Sequence, residues 1–197
     1  MHVQRLAGVI VLSVLIACCG DAISQDAAPY AFSGIVLDSS VAELPETYKV
    51  LFDSSDCRLT DLRPGPVKLC RKDFQPNTLP GLPPDLKNSV HFHLRYVSGR
   101  LQQIGFGFHR NDYEAFVSFL IREYGKPLFA KPVIFSTPNR DSAKGIEYTK
   151  GIEYTWNRGR FSIATYPFLR DSIRDSKGSG YNSSGVFFGV IRNAHSR

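Results

Sequence analysis

Between residues 88 and 127 the apolar positions follow two periods in succession. Val90, Phe92, Leu94 and Tyr96 alternate with His91, His93 and Arg95, the spacing of a half-buried strand. After Ser98-Gly99 the alternation resumes with Ile104, Phe106 and Phe108, so a hairpin is predicted. Two registers bring the apolar sets to one face. One is a three-residue loop over 97–99 with Gly99 in the left-handed region. The other is a two-residue turn at Ser98-Gly99, repaired by a bulge at Gln102-Gln103. Both leave His91 and His93 on the opposite face. The period then lengthens: Phe116, Phe119, Leu120 and Tyr124, flanked by Tyr113 and Val117, predict a helix. Asn111 or Asp112 is expected to cap it, Gly125 to close it, and Pro127 to forbid its continuation. This helix should lie across the apolar face of the hairpin.

The remaining elements are shorter. Residues 31–37 read as an entry strand, and Ser40 with Glu43 has the spacing of a capping box. The short helix expected there is broken or restarted at Pro45. Prolines at 76, 80, 83 and 84 make residues 74–84 an irregular linker. Residues 131–137, 152–156, 160–166 and 186–192 are strand candidates, with Trp156 in or near the core. The Ser/Gly-rich stretch 171–185 reads as a loop, and the chain beyond 193 as a tail. Between them KGIEYT at 144–149 is repeated at once at 150–155. Six is even, so the duplication lengthens a hairpin arm without exchanging its faces. The expected fold is α+β: an antiparallel sheet of four to six strands with one main helix packed on one face, in a single domain over residues 31–192.

The N-terminus changes the compartment. Residues 1–5 carry one arginine, and residues 6–17 form an apolar run too short to span a bilayer as a helix. Leu15-Ile16-Ala17-Cys18 matches a bacterial lipobox, so 1–17 is expected to be a lipoprotein-type signal. Cys18 would then be the lipidated N-terminus, with 18–30 as a tether. Cleavage after Ala22 is the alternative, leaving a soluble periplasmic or secreted protein. Cys57 and Cys70 remain in either case, and in an oxidising compartment a disulfide is expected between them. Closing a loop of this size contributes about 3 kcal/mol on the chain-entropy model.

Formal net charge is +6. The densest basic group, Lys68, Arg71 and Lys72, is not interleaved with aromatics, so a nucleic-acid partner is not expected. Catalytic chemistry is thinly supported, and no cofactor is expected. His91 and His93 point the same way from one strand, which suits a metal only with further ligands. No aspartate or glutamate is expected on that face nearby. The chain has no G-x-S-x-G elbow, and Gly105-Phe106-Gly107 lies within a strand rather than at a phosphate-cradling turn. Tyrosines beyond the needs of a small core, among basic neighbours, suit contact with protein or glycan.

Phe32, Gly34, Ile35 and Leu37 lead to Cys57 and Cys70. Gly99 and Leu101 follow, then Tyr124-Gly125-Lys126-Pro127 and Trp156. This order resembles small secreted or lipid-anchored bacterial envelope proteins. It also resembles the helix-on-antiparallel-sheet modules of β-lactamase-inhibitor-like and outer-membrane-assembly small lipoproteins. The resemblance implies an envelope compartment, on the periplasmic side of the outer membrane, and protein binding. The expected function is therefore a non-enzymatic envelope protein that binds another protein. An inhibitor or glycan-binding module, and a metal-dependent enzyme using His91 and His93, are the alternatives.

Overall fold

The computed structural model describes residues 28–62, 65–138, 146–168 and 183–191. The expected signal, Cys18, most of the expected tether and the expected tail lie outside the described residues, as does most of the Ser/Gly-rich stretch. The fold is α+β and mostly strand. A two-stranded sheet, β1 (Ala31–Phe32) with β2 (Ile35–Val36), precedes α1 (Glu46–Lys49). The large sheet takes β3 (Cys57–Leu62), β4 (Gly65–Phe74), β5 (Val90–Val97) and β6 (Arg100–His109). Helix α2 (Tyr113–Tyr124) follows, then β7 (Phe129–Pro138), β8 (Ile146–Arg158), β9 (Phe161–Tyr166) and β10 (Ser183–Val190). The eight strands are antiparallel in the order β3-β4-β5-β6-β10-β9-β8-β7.

Eight strands replace the expected four to six because the disulfide-linked segment joins the large sheet. It is a hairpin whose longer arm, β4, pairs with β5 from Val67↔Val97 to Phe74↔Val90. Charged and apolar residues are mixed along β4, so its alternation is hidden in the sequence. The β5–β6 turn is the two-residue form. Ser98 and Gly99 both have positive φ (49° and 78°), the twist that suits a tight hairpin. Partners jump from Arg95↔Gln103 to Tyr96↔Leu101, so Gln102 is the bulged residue. The three-residue loop is not used.

The core forms on one face of this sheet. Phe92, Leu94, Ile104, Phe106, Val186 and Phe188 are buried there. Helix α2 presses Phe116 onto Phe106 and Phe108, with ring centroids 5.3 and 4.7 Å apart. Phe32 wedges in from β1, 4.6 Å from Phe106 and 5.9 Å from Phe188. The first helical turn is capped differently from expectation. His109 Nδ1 accepts from the Asn111 amide, and Asp112 turns away to accept from the Lys87 and Asn88 amides and from Asn88 Nδ2. At the other end Gly125 takes φ 80°, and its carbonyl accepts from Trp156 Nε1 at 2.7 Å. The buried indole thereby satisfies a helix end. Ser40 and Glu43 form the expected capping box, and α1 restarts after Pro45.

From Ile146 on, the described part of the repeat runs in one strand. β8 pairs with β7 over ten residues but with β9 only over Thr155 to Arg158. The duplication has lengthened the β7–β8 arm beyond the end of β9.

Candidate interaction face

The face of the sheet opposite the core is built by the residues that alternate with the buried ones. Across neighbouring strands they form rows. Asp73 stands beside His91, Arg71 beside His93, and Leu69 beside Arg95, because β4 and β5 pair at those positions. Arg58 of β3 joins the last row by pairing with Leu69. Ring contacts continue from His93 to Phe187 (5.7 Å) and from Phe187 to Tyr166 (5.6 Å).

The structure supplies an acid where none was expected. Asp73 Oδ1 lies 2.7 Å from His91 Nδ1. That contact depends on β4 being a strand in register, which its own sequence does not announce. His91 and His93 have ring centroids 6.2 Å apart. Among the described residues no three His, Cys, Asp or Glu side chains converge to hold a metal ion.

His93 has an intimate neighbour instead. A Cβ placed on Gly105 would fall 2.0 Å from the imidazole, so the glycine leaves the space that the ring fills. Burial holds the His93 pKa down to about 4, with His91 and Arg71 adding to the effect and a hydrogen bond to Gln103 opposing it. The unfolded chain keeps the ordinary value of 6.5. Between these values the unfolded state binds a proton that the native state does not, so stability falls as pH drops from about 6.5 to about 4. Equilibrium denaturation across that range should show the slope, and His93→Gln should lose most of it. An unchanged slope in the variant would reassign the acid sensitivity to another group.

On this face Asp73 is paired with His91. Elsewhere the described arginines are engaged. Arg100 donates to the Asp38 carbonyl, and Arg160 pairs with Asp38. Arg122 pairs with Glu123, while Arg110 and Arg158 lie over Phe168 and Tyr30. Arg58, Arg71 and Arg95 have no ion-pair, hydrogen-bond or ring partner among the described residues. All three project from one face of three adjacent strands, around Leu69. Arg71 is close to Lys68 and Lys72 in the sequence, but those lysines belong to the core-side face. Lys72 is tied there to Asp53 and Asp56.

On that core side a pocket of about 340 Å³ lies beside the disulfide, lined by Leu44, Tyr48, Phe52, Leu94 and Tyr96 among others. The Tyr96 hydroxyl is buried without a hydrogen-bond partner, and burial raises its pKa to about 12. An orphaned buried hydroxyl costs its desolvation without return. Tyr96→Phe is therefore expected to be neutral or to stabilise by up to about 1 kcal/mol. A loss of stability on chemical denaturation would mean that the hydroxyl has a partner in solution.

The predicted sites thus fall on different surfaces. Cys57 and Cys70 are directly opposite on β3 and β4 and form the expected disulfide, with a Cα separation of 4.0 Å. Gly99, Gly125 and Trp156 take structural positions in the hairpin turn, the helix end and the core, and Pro127 follows the helix end. Cys18 lies outside the described residues. No family model matches the sequence, and no curated protein or solved structure matches it.

Proposed function

We propose that this is a non-enzymatic, exported envelope protein, held at the membrane through a lipid on Cys18, that binds another protein with the open face of its large sheet. The observation that carries the reading is the set of guanidinium groups of Arg58, Arg71 and Arg95 on that one face, unpartnered among the described residues. Arg58 and Arg71 are exposed and Arg95 is half-buried; charges of this kind give steering and specificity when a complementary surface arrives. The short apolar N-terminal run, the lipobox and the disulfide support the compartment. Membrane attachment would leave the sheet face free for a partner in the same layer.

Crosslinking in the native envelope tests the binding reading. The wild-type chain should capture a specific protein that the Arg58→Gln/Arg71→Gln/Arg95→Gln variant, expressed to the same level, does not. Equal capture by both would remove this face as the binding surface. Incorporation of labelled palmitate, abolished by Cys18→Ala, tests the anchor. Its absence in the wild type would favour cleavage after Ala22.

A second reading rests on the pocket at the disulfide. Its apolar wall of Leu44, Phe52 and Leu94 suits a small apolar ligand. Ligand-dependent thermal stabilisation that is lost in Phe52→Ala would favour it.

A further inference from the structure

The two ends of the large sheet differ in a way that names the partner's chemistry. Both β3 and β7 are edge strands. An edge offers a row of backbone donors and acceptors that only another extended polypeptide can match. β7 carries Pro132 and Pro138, which have no amide hydrogen to give. β3 contains no proline, and its residues Arg58, Leu59, Thr60 and Asp61 are exposed, Leu59 to 71%. Its two faces are chemically distinct. Arg58 projects to the side that carries Arg71 and Arg95, and Leu59 projects to the other.

We propose, resting on the protein-binding reading above, that the partner supplies an extended segment of alternating acidic and apolar residues that adds to β3 as a ninth strand. Its acidic side chains meet Arg58 and Arg71, and its apolar ones cover Leu59. Strand spacing gives the geometry a gradient. An added strand lies about 5 Å from β3, about 10 Å from β4 and about 14 Å from β5. A carboxylate opposite Arg58 is therefore in direct contact. One two residues further overhangs the Cys57 end of β3, where it approaches Arg71 on the diagonal, and Arg95 is beyond direct reach. Backbone pairing fixes the segment and the arginines select it. An anionic lipid surface has the charge but offers nothing to the open backbone edge, and this is what favours a polypeptide.

The test uses the intact disulfide-bonded protein and a synthetic peptide alternating glutamate with valine. Binding is read by fluorescence anisotropy, with phosphatidylglycerol vesicles as the second probe. The wild type should bind the peptide, and N-methylation of alternate peptide amides on the pairing edge should abolish binding. Arg58→Gln should weaken binding about tenfold, Arg71→Gln should weaken it less, and Arg95→Gln should weaken it least of the three. Circular dichroism of each variant confirms an unchanged fold. Equal losses for the three variants, or indifference to N-methylation, would overturn strand addition while leaving the open face as a binding surface. Failure to bind the peptide, with envelope capture still dependent on the three arginines, would overturn the inference alone. Binding to vesicles but not to the peptide would overturn both readings in favour of a lipid surface.

Discussion

Phe106→Ala is expected to destabilise the protein by about 3–5 kcal/mol, the range for deleting a fully buried aromatic ring. Phe106 is completely inaccessible and sits where three layers meet. Its ring lies 5.1 Å from Phe92 on the neighbouring strand, 5.3 Å from Phe116 of α2 and 4.6 Å from Phe32 of β1. A cavity there cannot be closed by one side chain, since its walls belong to the sheet, the helix and the entry strand together. Against a total stability of about 5–15 kcal/mol, the loss is a large fraction of what holds the fold. Urea denaturation checks it, with Phe129→Ala as the control. Phe129 is 60% exposed on the edge strand, so its truncation should change stability by no more than about 0.5 kcal/mol. If Phe106→Ala cost under about 1 kcal/mol, the three-layer core described above would be wrong.

Removing the disulfide is the second large effect, and its signature is local as well as global. Cys57→Ser/Cys70→Ser should lower stability by about 3 kcal/mol through the greater freedom of the unfolded chain. In a chain of this size that is roughly a 6–12 °C fall in Tm. The structure adds where the loosening should appear. β3 has a single neighbour, β4, and much of its surface is exposed, so without the covalent link it has little burial to hold it down. Hydrogen exchange should accelerate over residues 57–62 while α2 and β6 stay protected. Uniform acceleration across the sheet would mean that β3 is integral to the cooperative unit rather than pinned to its edge. If the ninth-strand proposal holds, the same variant binds the acidic peptide poorly even at temperatures where it remains folded.

How far the sequence carried can be judged element by element. The hairpin β5–β6 and helix α2 were legible because periodicity, turn chemistry and the closing Gly125 agreed over one stretch, and local agreement of that kind survives tertiary packing. The second register, with its bulge at Gln102, was legible only as one of two. Twist chose between them, and twist is a property of paired strands. The capping of α2 was misread for a similar reason. Asp112 has the right chemistry for a cap, but the Lys87 and Asn88 amides compete for it from a segment more than twenty residues away.

By itself the sequence determined the core face of the central hairpin, the helix laid across it, the spacing of two cysteines, and the even period of the repeat that runs into β8. These follow from contacts between residues near in sequence, or from chemistry that needs no partner. Only the tertiary structure decided the width of the sheet and the content of its open face. β4 lacks a clean alternation, so its pairing with β5 could not be read in advance. That pairing sets Asp73 against His91 and gathers Arg58, Arg71 and Arg95 on one side. A strand's register with a distant neighbour is a property of the assembled sheet, and the binding face proposed here exists only once that register is set.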